Sequence, residues 1–192
     1  LSTGALSRTS GVSAEVASAS GTVGSQEVYE YGLTLVEADP QAGFHYPYLL
    51  YRPFTEQKTA RPLFVNPNNG LSVSSREELL TQLRQSAKRY VQIPRTLALP
   101  AVFPGFPRTP NDNRDYVQLL ALESLDTQGK RQDVATEAFP AETLHRVDRQ
   151  LLNMIDDARE RLNDEPYPVD DGIHMDGFSA AAAFSTRFGL LY

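Results

Sequence analysis

Between Val28 and Glu37 the chain alternates apolar and polar positions, and Tyr46 to Arg52 is rich in aromatic and aliphatic residues after Asp39-Pro40 and Gly43. Together they predict two antiparallel strands joined by a loop. Pro62-Leu63-Phe64-Val65 is a short apolar run closed by Asn66-Pro67-Asn68-Asn69-Gly70, the pattern of a buried parallel strand followed by an irregular loop. Ser74 and Glu77 read as a capping box ahead of Leu79, Leu80, Leu83, Ala87 and Tyr90 at helical spacing. Leu97 to Phe103 is a further apolar run, ended by Pro104-Gly105-Phe106-Pro107, and a polar, loop-rich section follows to about Glu142. Leu144, Val147, Leu151, Ile155, Ala158 and Leu162 form the stripe of a long amphipathic helix that Pro166 and Pro168 stop. Gly172 to Asp176 then leads as a strand into a tight turn and a last helix. Strands alternating with helices in this way predict an α/β domain, a mostly parallel sheet with helices on both faces.

Composition narrows the function without naming it. The chain has 192 residues, 41% of them hydrophobic and 22% charged, enough for one globular domain with a core of its own. A net charge of -6, with Lys and Arg scattered among acids, argues against nucleic acid as a partner. No cysteine is present, which excludes disulfides and thiol catalysis. No stretch approaches the roughly 18 to 20 apolar residues that span a bilayer. Residues 1–26 are dominated by Ser, Gly, Ala and Thr and read as a flexible segment, with residues 27–192 as the folded part. The chain opens on Leu1 and shows no basic stretch followed by an apolar one, so it is not an intact signal peptide. A start left by signal cleavage, with a secreted or periplasmic location, is one expectation; a cytoplasmic location is not excluded by it.

The chemistry concentrates in Gly177-Phe178-Ser179-Ala180-Ala181, at the junction of the last strand and helix. A serine held on a sharp strand-to-helix turn exposes its hydroxyl, and such a turn tolerates only small residues two positions to either side, here Gly177 and Ala181. The same serine also suits a helix N-cap. No glycine-rich phosphate loop is present, so no nucleotide cofactor is expected. The acidic pairs Asp156-Asp157 and Asp170-Asp171 lack metal-ligand spacing with a histidine, so no metal is expected either.

With this order of elements and this motif, Val28 to Tyr192 resembles the N-terminal part of an α/β-hydrolase, and more narrowly bacterial secreted esterase or polyester-depolymerase-like proteins. The resemblance implies Ser179 as the nucleophile of a carboxylic ester hydrolase that forms an acyl-enzyme. It implies an oxyanion hole from the backbone N–H of Ala180 and a donor in the loop Asn68-Asn69-Gly70, although Asn-Asn-Gly is also an ordinary turn sequence. Ala181 departs from the family pattern Gly-x-Ser-x-Gly, in which this position is glycine. The family's acid and histidine come from later strands, so the sheet reads as incomplete. A second polypeptide or a C-terminal fragment is the expected partner, and this chain alone is expected to be inactive.

The remaining candidates have ordinary structural readings. His174 should be held in the strand before the turn, His145 at the start of the long helix, and His45 at the opening of the second strand. Asp176 adjoins Gly177 as a possible neighbour of the site. Phe103, Phe106, Tyr116, Phe178 and Phe184 would either wall an acyl pocket or belong to the core, and Arg108 and Arg114 would meet a substrate carboxylate or solvent. The alternative to an enzyme is a non-catalytic interaction module, completed by a partner chain, in which Ser179 is structural.

Overall fold

A computed structural model describes residues 28–68, 71–110 and 135–192. Its centre is a six-stranded sheet in the order β1-β2-β3-β6-β4-β8, formed by β1 (Val28–Tyr29), β2 (Leu33–Val36), β3 (Tyr48–Tyr51), β4 (Arg61–Val65), β6 (Ala101–Pro104) and β8 (Val169–Met175). The β1/β2, β2/β3 and β3/β6 pairs are antiparallel, whereas β4 runs parallel to both β6 and β8. The sheet is therefore mixed rather than mostly parallel, and parallel pairing is confined to the half that carries the candidate site. A separate parallel pair joins β5 (Leu71–Ser72) to β7 (Pro107–Arg108).

The expected first strand is divided. Tyr31 and Gly32 take φ values of 73° and 75°, which turns the chain back so that β1 pairs with β2, Tyr29 opposite Leu33. Left-handed backbone cannot continue a strand. The capping box is shifted by one residue. Ser75, not Ser74, caps α1 (Arg76–Tyr90) through a 3.2 Å bond from the Glu78 N–H, and Glu78 reaches back to the N–H of Ser74. Leu79, Leu83 and Ala87 are the buried stripe of that helix. The apolar run from Leu97 is not all strand, because Leu97 closes a short helix, α2 (Gln92–Leu97). Ala98 ends that helix in the left-handed region, and the strand begins only at Ala101.

α3 (Val147–Asn163) buries Val147, Leu151, Met154, Ile155, Ala158 and Leu162, close to the expected stripe; Leu144 lies just outside it in a 3-10 turn. Every residue of β2, β3 and β6 is buried. Since side chains alternate across a strand, both faces of the sheet are covered there. Tyr48 of β3 donates its hydroxyl to Asp157 of α3, and burial together with that bond raises the phenol far above its usual pKa. Asp157 also accepts from Arg161, so it is a paired carboxylate and not a solvated one. β8 differs: His174, Gly172, Asp171 and Asp170 are exposed and Ile173 and Met175 half-buried, so this strand is covered only in part. α4 (Ala180–Leu191) follows it and buries Ala181, Phe184 and Phe188.

Candidate active site at the strand-to-helix turn

β4 lies between β6 and β8. The chain passes from β4 to β6 on one side, then crosses to β8 on the other. In open α/β sheets such a reversal leaves a crevice at the carboxyl ends of the strands, where ligands bind. Two segments leave the sheet there: the loop after β4, beginning at Asn66, and the turn after β8, carrying Ser179.

Ser179 has φ 58° and ψ -121°. Three other non-glycine residues among those described have positive φ, and all of them, Tyr31, Ala98 and Arg146, lie in or near the ordinary left-handed region at ψ 17°, 44° and 48°. Ser179 does not, and a side chain is held in such sparsely populated backbone only where the surroundings impose it. Part of that imposition is visible at Gly177. A Cβ there would lie 2.6 Å from the carbonyl carbon of Ala181 and 2.7 Å from the backbone nitrogen of Ala182. The turn is thus closed by backbone against backbone, and only glycine fits at its entry. Ala181 is buried and α4 forms around it, so the methyl by which this turn departs from Gly-x-Ser-x-Gly is accommodated.

The Ser179 side chain is exposed and makes no capping hydrogen bond. Its backbone carbonyl accepts from the N–H groups of Ala182 and Ala183, the first bonds of α4. Ala180, as the first helical residue, has no intrahelical acceptor for its N–H, and the helix N-terminus favours negative charge beside it. Asn68, in the facing loop, is buried and donates from its side-chain amide to the carbonyl of Pro104 at 2.7 Å. Asn69 and Gly70 lie outside the described residues, as do Tyr116, Arg114 and residues 1–26.

One pair was not foreseen. Asn66 is buried at the end of β4 and donates its amide to the Asp176 carboxylate at 2.9 Å and to the Asp176 carbonyl at 3.3 Å. The two residues are 110 positions apart, and neither carries a local signal of the other.

The other candidates scatter. His174 is exposed on the face of β8 opposite Ile173 and Met175. His145 is half-buried before α3, with its carbonyl bonded to the Gln150 amide and its Nδ1 enclosed without a partner. His45 is half-buried and donates its backbone N–H to the Gln150 side chain. Phe103, Phe106 and Phe184 belong to the core and not to a pocket wall, while Phe178, beside the serine, is 75% exposed. Arg108 is half-buried in β7. Among the described residues no helix is long and apolar enough to cross a membrane, and no cluster of metal-ligating side chains is found.

Comparison with known proteins adds little. No family model matches the chain, and no curated protein matches it. Among solved structures it is similar to one described as a thermostable esterase, with a TM-score of 0.41 and 20% identity over 79% of this chain and 35% of that one. The chain thus spans about a third of that protein's length, and a likeness this distant carries no functional weight.

Proposed function

We propose that this chain carries the nucleophile and the oxyanion-binding part of a serine hydrolase acting on carboxylic esters. The observation that carries the reading is the backbone of Ser179, φ 58° and ψ -121°, with an exposed side chain that does not cap its helix. An N-cap serine has extended backbone and bonds to the helix; this one does neither. In the proposed reaction the Ser179 oxygen attacks the ester carbonyl while a histidine takes its proton. The N–H of Ala180 and a donor from the loop at Asn68, Asn69 and Gly70 stabilise the oxyanion. The alcohol then leaves, and water releases the acyl group.

The acid and histidine of this scheme come from a second polypeptide or a C-terminal fragment that pairs with β8. The partial cover of β8 and the exposure of Leu190 (81%) and Leu191 on α4 and of Tyr192 just after it support such a partner. The same exposure favours the second reading, a non-catalytic module completed by a partner. A secreted or periplasmic site of action belongs to the proposal and rests on the Ser/Gly/Thr-rich opening of the chain.

The test is an ester-hydrolysis assay on the protein with whatever chain co-purifies, identified by intact mass. Hydrolysis of a short-chain p-nitrophenyl ester should fall by about a thousand-fold or more in Ser179→Ala. Equal rates for parent and variant would leave the non-catalytic module as the reading.

A further inference from the structure

We infer that Asn66 and Asp176 form a positioning clamp that sets the candidate nucleophile against the candidate oxyanion loop, an inference that rests on the function proposed above. The last backbone bond between β4 and β8 runs from the Asp176 N–H to the Val65 carbonyl at 3.1 Å. Beyond it the two chains separate, one toward Asn68 and the other toward Ser179. The Asn66 side chain spans the point of separation, bonding both the carbonyl and the carboxylate of Asp176. Its own backbone N–H is meanwhile bonded to Val102 of β6 at 3.1 Å. One residue thereby ties together the ends of all three parallel strands.

Asn68 adds a second tie, from the loop to Pro104 at the end of β6. Both asparagines are buried, so their bonds are not exchanged for water at little cost. Three residues after Asp176 the chain must enter the strained backbone of Ser179, which persists only if the approach is fixed. The clamp fixes it and holds the facing loop in the same register. Asn66 and Asp176 are thus positioning residues, acting through Ser179 and not on the substrate.

Two measurements on the protein with its co-purifying chain test this. Hydrogen exchange needs no activity: Asn66→Ala should speed exchange of the amides from Asp176 to Ala182 and of the 66–68 segment, leaving α1 and α3 unchanged. Unchanged exchange in the turn, or a uniform rise throughout the chain, overturns the clamp. In the ester assay Asp176→Ala should lower kcat by about 10- to 100-fold with KM within about 3-fold, the signature of misplaced reacting groups. Asp176→Asn keeps an acceptor oxygen for Asn66 and should restore most of the rate. An Asp176→Asn variant as impaired as Asp176→Ala would mean that the carboxylate acts by proton transfer or charge, and the clamp would be rejected. The Asp176 pair decides alone if Asn66→Ala does not fold. A parent without Ser179-dependent hydrolysis removes the proposed function but leaves the exchange result to judge the clamp.

Discussion

Two helices of this molecule begin in the same unusual way, and they come to opposite ends. α3 and α4 each follow a non-glycine residue of positive φ, Arg146 at 42° and Ser179 at 58°, and in neither does the side chain cap the helix. At α3 the strained residue closes on itself. Arg146 grips Asp148 through two bonds of 3.0 and 2.7 Å, the Asp148 side chain is completely buried, and the Tyr192 hydroxyl donates to the same carboxylate at 2.8 Å. The guanidinium, carboxylate and phenol of that junction answer one another, and the left-handed residue there is part of a structural knot. At α4 the strained residue is left open: crowding at Gly177 and the Asn66–Asp176 bonds hold the turn from behind, and the serine is exposed without capping its helix. Backbone strain by itself does not mark a functional site. Strain whose side chain is unused by the fold is the more telling sign.

The largest effect should come from breaking the closed junction. Burial alone would raise the Asp148 carboxyl, but the bonds from Arg146 and Tyr192 outweigh it and hold the group below the ordinary aspartate value. Asp148→Ala leaves Arg146 without its partner and should cost about 3 kcal/mol in a denaturant melt. Because the folded pKa is depressed, the unfolded chain binds the proton first. The stabilisation is complete above the usual aspartate range near about 3.9 and is lost as pH falls through the lowered folded value. Asp148→Asn should therefore flatten the acid limb of a plot of stability against pH. An unchanged limb would mean that the junction does not store its stability in that charge.

A smaller loss is expected at the open junction. Gly177→Ala places a methyl against the backbone of Ala181 and Ala182 and should cost about 2 kcal/mol, since backbone cannot move aside as a flexible side chain can. The smallest effect is the sharpest in sign. Ser179→Gly removes strain of about 1 to 3 kcal/mol while adding about 0.5 to 1 kcal/mol of unfolded-state entropy, so the variant should be more stable than the parent by about 1 kcal/mol. Arg146→Gly relieves the smaller strain of ordinary left-handed backbone but forfeits the ion pair and should be less stable than the parent. If both glycine variants moved in the same direction, the contrast between the two junctions would be lost.

Much of this architecture was legible in the sequence where one period or one turn dictates the outcome. The stripe from Val147 to Leu162, the buried run Leu63-Phe64-Val65 and the glycine-serine turn before α4 all stand as read, because burial of one face or close approach of backbone leaves few alternatives. The division of the first strand at Tyr31 was not legible, since nothing in a tyrosine announces positive φ. Two-residue strands such as β5 and β7 are too short to show a period, and α2, with Pro94 in its first turn, was hidden inside an apolar run. At the candidate site the motif points to the serine but not to what holds its backbone. Asn66 and Asp176 meet only because β4 and β8 are neighbours, a fact of topology that local pattern does not encode.

The central claim, that Ser179 is presented for nucleophilic attack, is tested most directly by a fluorophosphonate probe, which bonds covalently to an activated serine oxygen. The parent protein, with its co-purifying chain, should gain one probe mass, located by peptide mapping on Ser179 and lost in Ser179→Ala. A parent that takes up no probe at Ser179, in material shown to be folded and fully assembled, would contradict the claim.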